Sequence, residues 1–140
     1  MKLLLAADGS KYTKKALAFL VTHEGLTGPD GELVVLNVQP PMPPRVKTMV
    51  GAAAILDYQK EEAEKVLSPI ERFLKRHNIV FQSKWVVGSP AEEVVRATKR
   101  ENAHLVVMGT HGHGLLGRAL MGSVAQKVVA ECETPVLLVK

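Results

Sequence analysis

The chain has 140 residues, 46% hydrophobic and 23% charged, with 11 Gly and 8 Pro, which fits one globular domain over residues 1–140 rather than a disordered, collagenous or coiled-coil chain. Its single cysteine, Cys132, excludes an internal disulfide framework and a cysteine-based zinc cluster. Eighteen Lys and Arg against 14 Asp and Glu give +4, but the basic residues are scattered from Lys2 to Lys140 and aromatics make up 4%, so a solvated surface is a better reading than a nucleic-acid face.

The chain opens MKLLLAADGS, an apolar run over residues 3–7 ended by Asp8. It is too short for a signal-peptide core, and no stretch approaches the roughly 20 apolar residues of a membrane span. The expectation is a soluble, cytoplasmic protein whose first strand is this run. A helix follows: Ser10 is a cap candidate, and Thr13, Ala16, Leu17 and Leu20 recur at helical spacing. Residues 33–38 predict the second strand. Residues 39–51, with Pro40, Pro41, Pro43 and Pro44, read as an extended loop.

Ala63, Val66, Leu67, Ile70, Phe73 and Leu74 then make a strong helical stripe. Pro69 inside it should remove the bond to Lys65 and kink the axis. Residues 80–87 predict a strand with some alternation. Ser89-Pro90-Ala91-Glu92 is a capping box with proline at the first helical position, opening a helix toward Arg100. Residues 104–108 are the fourth strand, with His104 and Trp85 read as packing residues. Gly122-Ser123 opens the last helix, through Ala125, Val128 and Val129 to Cys132, and Pro135 stops it before the strand Val136–Val139. Four of the apolar runs are continuous and rich in Val and Leu, as in strands covered on both faces. The connections suit right-handed helical crossovers. The expected fold is α/β, a three-layer doubly wound sandwich with a five-stranded parallel sheet and four main helices.

Five of the 11 glycines fall within GTHGHGLLGRALMGS, residues 109–123. Helices and strands gain nothing from that density, whereas close backbone approach to phosphate does. The segment follows the fourth strand, at the carboxyl edge where open α/β sheets bind ligands. Two familiar patterns in it fail on context. Gly112-His113-Gly114-Leu115-Leu116-Gly117 matches G-x-G-x-x-G, but it follows the wrong strand, and 20 residues past Gly117 stands Leu137 rather than an acid. A Walker A loop is nearly matched, but Arg118-Ala119 replaces its lysine and hydroxyl. A third spacing holds. Gly109-x-x-Gly112, nine residues, then Gly122-Ser123 sets two glycines at a strand exit and two small residues at a helix start, whose free amides would face an anion.

This spacing resembles the signature of the nucleotide-binding branch of the universal stress protein family. Asp8 in LLLAADGS, Val38 in VVLNV, the segment VVGSPAEEVV and the final TPVLLV agree with it, so the resemblance covers essentially the whole chain. It implies an adenine nucleotide alpha hydrolase-like fold that binds ATP, or AMP or ADP, with Mg²⁺ or Mn²⁺ carried by the nucleotide. By the same resemblance, the adenine lies between Ala6 and Val38. Asp8 approaches the ribose or the phosphate-bound metal, and Met108 and Gly109 line the nucleoside. Gly112, His113, Gly122, Ser123 and Val124 surround the phosphates. Similar proteins are homodimers, commonly through the final strand, here Val136–Val139.

Each residue also has a plainer reading. Asp8 can serve only a turn with Gly9 and Ser10, Ser123 only a cap, and Arg118 can clamp phosphate or stand in solvent. His111 and His113 lack a third metal donor nearby in sequence, which favours polar loop residues over zinc ligands. Cys132 reads as a buried small residue rather than a nucleophile. The expectation is adenine-nucleotide binding without efficient turnover, no catalytic residue being assigned. The alternatives are a slow ATP hydrolase and an interaction module with a vestigial site.

Overall fold

The computed structural model describes residues 1–23, 25–113 and 121–140. Strands β1 (Lys2–Ala6), β2 (Glu32–Gln39), β3 (Phe81–Val87), β4 (Leu105–Gly109) and β5 (Val136–Val139) form one parallel sheet in the order β3-β2-β1-β4-β5. The helices are α1 (Lys11–Thr22), α2 (Pro44–Val50), α3 (Ala52–Arg76), α4 (Pro90–Arg100) and α5 (Ser123–Glu131). Side chains alternate across the sheet, and both faces are covered. Leu3, Leu5, Val35 and Val107 pack with Leu17, Leu20, Leu67 and Leu74 from α1 and α3. Leu4, Val34, Leu36 and Val106 pack with Val94, Ala97, Ala125 and Val128 from α4 and α5. That double cover is why β1 reads as an unbroken leucine run. Each of its buried leucines contributes about 1.5–3 kcal/mol relative to exposure.

The chain winds outward from β1 through β2 to β3, then returns to lay β4 on the other side of β1. The two winding directions therefore part at the carboxyl ends of β1 and β4, the place where open α/β sheets leave a crevice.

Several expectations are corrected. The proline-rich stretch is not extended throughout, because Pro44–Val50 forms α2, so the described residues hold this short helix beside the four main ones. Pro44 stands at the first turn, where its missing N–H is no loss and its fixed φ suits a helix, and Pro43 holds the extended backbone required before a proline. Gly51, at φ +85°, a conformation that side chains rarely adopt, then separates α2 from α3. Pro69 lies inside α3, where the sequence places it. Pro69 and Lys65 are both exposed, so the carbonyl deprived of its helical partner is at the solvent side of the helix. Ser89 does sit at the start of α4, but its side chain makes no capping bond, and the helix opens on Pro90 with the Glu93 N–H donating to the Ser89 carbonyl at 2.9 Å. His104 is exposed rather than packed, its Nδ1 accepting the Lys2 N–H at 2.9 Å, whereas Trp85 does pack against the core.

At the amino end of the sheet, charges are paired. Lys2 reaches Glu32 at 3.5 Å and the buried Glu101 at 3.3 Å, and Lys84 also pairs with Glu101. The hydrogen bond from Lys84, joined by that from Lys2, outweighs burial and holds the Glu101 carboxyl below the usual carboxylate range.

Candidate functional site

β1 ends because its next residues are claimed by a turn. The Ala7 N–H still donates to the Leu36 carbonyl at 2.9 Å, but Asp8 leaves the sheet and Gly9 takes φ +79°, a conformation costly for side chains. Ser10 then caps α1, accepting the Thr13 N–H at 3.4 Å. Asp8 is bound into this turn. Its Oδ1 accepts the Ser10 N–H at 2.9 Å and the Thr13 hydroxyl at 2.8 Å, and its own N–H donates to Thr13 Oγ1 at 3.1 Å. With Oδ1 committed, Oδ2 faces Gly112, where an added Cβ would come within 2.7 Å of it. The turn role and an exposed, aimed carboxylate oxygen are therefore both present in one residue.

β4 delivers the second wall. Gly109 lies so close to Tyr12 of α1 that an added Cβ would collide with the Tyr12 side chain. Thr110 is buried and ties three segments together. Its N–H donates to the Val139 carbonyl at 2.9 Å, its carbonyl accepts the Gly122 N–H at 2.6 Å, and its hydroxyl lies 2.8 Å from His111 Nδ1. The His111 ring meets Tyr12 at 4.9 Å. His113 returns to β1: a carbonyl can only accept, so Nε2 carries the proton it donates to the Asp8 carbonyl at 2.7 Å. Gly122 is extended, with φ −70° and ψ 159°, and α5 starts at Ser123 with no side-chain cap on its first amides.

These segments surround a cavity of about 450 Å³, within the roughly 300–1,000 Å³ range of small-molecule sites. Ala6, Asp8, Val38, Met108, Gly109, Gly112, His113, Gly122, Ser123 and Val124, all nominated from the sequence, line it together. Arg118 falls in residues 114–120, outside the described residues. Sequence reasoning missed Leu36, Pro90, Val94 and Thr110 on the lining. Pro90 and Val94 come from the start of α4, and only the strand order reveals that this helix reaches over the end of β2. The apolar floor (Ala6, Leu36, Val38, Val94, Met108) suits a flat ring system, and the glycines with the α5 amides suit an anion. Among the described residues, no cluster of three or more His, Cys, Asp or Glu could hold a metal ion by itself. Cys132 is half-buried, its Sγ 3.8 Å from the Thr98 hydroxyl.

The family model described as the universal stress protein family matches residues 1–140. The chain belongs to the universal stress protein family. A universal stress protein of Thermus aquaticus is 36% identical over 140 residues, covering 99% of this chain and 97% of its own. The solved structure of MJ0577, a universal stress protein of Methanocaldococcus jannaschii, superimposes with a TM-score of 0.85 at 28% identity, covering 99% of this chain and 94% of its own. A universal stress protein from Archaeoglobus fulgidus, solved in complex with dAMP, shares the fold at a TM-score of 0.69 and 21% identity, covering 100% of this chain and 98% of its own. This universal stress protein has, among its described residues, no helix long and apolar enough to cross a membrane.

Proposed function

We propose that this protein binds an adenine nucleotide, ATP foremost, in the cavity at the carboxyl ends of β1, β2 and β4, and holds it without efficient turnover. The observation that carries this reading is the convergence of two glycine-bearing backbone segments, 109–113 and 122–124, on an apolar floor that ends at Ala6 and Val38. The floor offers a ring-sized apolar surface, and the α5 amides with the Ser123 hydroxyl offer phosphate donors. The dAMP complex of a protein with the same fold is consistent with this assignment.

Asp8 suits the nucleotide's divalent cation. Its Oδ2 is a hard carboxylate oxygen on the cavity wall, the donor type that Mg²⁺ and Mn²⁺ take. The cation would neutralise phosphate charge. The Nε2 of His113 donates to the Asp8 carbonyl, so that ring nitrogen is not available to take a proton from an attacking water in this arrangement. The protein is further proposed to form a homodimer through β5, the edge strand beside β4, whose Val-Leu-Leu-Val sequence carries no charge or proline to blunt pairing.

The test is mass spectrometry of ligand retained by natively purified protein, followed by calorimetry with ATP and an assay for released phosphate. Retained or titrated adenine nucleotide with negligible phosphate release is expected. Steady release over many turnovers favours a slow hydrolase, and absence of any nucleotide affinity overturns the site. For assembly, sedimentation of Leu138→Pro, which removes an N–H facing away from β4, should yield monomers from a wild-type dimer, and a wild-type monomer at micromolar concentration overturns the β5 pairing.

A further inference from the structure

The geometry points to Asn37 as a positioning residue that keeps one backbone edge of the cavity open and so sets which purine the site accepts. Asn37 is 3% exposed and is the polar interruption in the otherwise apolar segment VVLNV of β2. Its Nδ2 donates to the Ala7 carbonyl at 2.9 Å, and its Oδ1 accepts from Gln39 Nε2 at 2.7 Å. The orientation of the amide follows from its partners, because a carbonyl can meet only the NH₂ end.

The Ala7 carbonyl is the group that a continuing ladder would have used. Between β1 and β2, the Ala7 N–H donates to the Leu36 carbonyl, in register with Ala6 opposite Leu36. In a parallel pair, the next bond of this ladder runs from the Val38 N–H to the Ala7 carbonyl. The Asn37 amide occupies that acceptor instead. On its other side β2 stays paired, with Val38 opposite Val86 and the Gly88 N–H donating to Gln39. The Val38 N–H and carbonyl consequently point to the side that β1 has left, and Val38 lines the cavity there. Asn37 is a side chain that stops two strands from zipping by one further bond.

The consequence is chemical selectivity, and this part rests on the nucleotide reading. One donor and one acceptor on the same backbone edge match adenine, which offers an acceptor at N1 and a donor at N6. Hypoxanthine presents the reverse, a donor at N1 and an acceptor at O6. A mispaired polar edge in a dry site discriminates strongly.

Two measurements test this on the full chain. The first needs no ligand: hydrogen exchange at the Val38 amide, read by NMR, in wild type, Asn37→Leu and Asn37→Ser. Fast exchange is expected in wild type and at least tenfold slower exchange in the variants, because a buried Ala7 carbonyl stripped of its donor will draw in the Val38 N–H. Two variants are used because the larger side chain can fail to fold. A protected Val38 amide in wild type, or an unchanged rate in a folded variant, overturns the positioning role. The second is calorimetry with ATP and ITP. Wild type should prefer ATP, and the variants should lose at least about tenfold in ATP affinity and most of the preference. An unchanged ATP-to-ITP ratio in a folded variant overturns the selectivity. Absence of binding of either nucleotide to wild type overturns the nucleotide reading itself, while the exchange result stands separately.

Discussion

The two ends of the sheet solve opposite problems with the same strands. At the amino end, Lys2 pairs with Glu32 and Glu101, and Lys84 joins Glu101 from the middle of β3. At the carboxyl end the strands part, glycines replace side chains, and backbone groups border a cavity. One end satisfies its charges internally and contributes stability; the other leaves its donors for something else. Stability and binding should therefore be separable by mutation, with carboxyl-end substitutions moving affinity and amino-end substitutions moving melting temperature.

The strongest expected effect is at Gly122. Its φ of −70° is open to any residue, so Gly122→Val should fold, yet its side chain would stand at the α5 amides and abolish ATP binding measurable by calorimetry. Unchanged affinity in the folded variant breaks the comparison at once. Asp8→Ala sharpens it, because Asp8 serves both fold and cavity. Loss of its cavity-facing oxygen should weaken ATP binding by about 1–3 kcal/mol, on the scale of a charged hydrogen bond. Loss of its two Oδ1 partners should also lower the melting temperature. A lower melting temperature with intact affinity would make Asp8 a turn residue alone.

Glu101→Gln probes the other end. It leaves Lys2 and Lys84 without their shared countercharge and should cost about 1–2 kcal/mol of stability, less than a fully buried pair because both lysines are partly solvated. ATP affinity should not change. The sign with pH is determined by the lowered carboxyl. A depressed folded-state pKa adds stability above the unfolded value of about 4.3, and that stability is lost as pH falls through the folded value. Thermal melts of wild type and variant should thus differ fully at neutral pH and converge in acid; a gap that widens in acid contradicts the assignment. Ser10→Ala should be the mildest change and bounds the rule, because Ser10 stands at the carboxyl end but does not line the cavity. Its cap bond is long, 3.4 Å, and its loss should cost about 0.5–1 kcal/mol, again without moving affinity.

The contrast between the ends also explains what could be read from the sequence. The strands were legible because double-sided burial writes itself as continuous Val and Leu, and the glycine spacing because no regular element needs such density. The helix within residues 39–51 was hidden by treating prolines as breakers, when Pro44 occupies the one helical position that suits it. Pro90 and Val94 escaped notice because their place at the cavity depends on which strands are neighbours. Asn37 left a sign, one amide in an apolar strand. Only the register between β1 and β2 gives that sign its meaning.

Thr110 carries a further consequence. Through its N–H it holds the carbonyl of Val139, the last residue of β5, and through its carbonyl it holds the amide of Gly122, immediately before α5. The end of the edge strand and the proposed phosphate contact are thus separated by a single residue's two hydrogen bonds. Fraying of β5 would release the clamp on Gly122, so an extension or fusion appended after Lys140 is mechanically attached to the ligand site. Fluorescent or affinity labels placed there should be validated against nucleotide affinity, and an amino-terminal label next to Lys2 would instead load the ion-paired end.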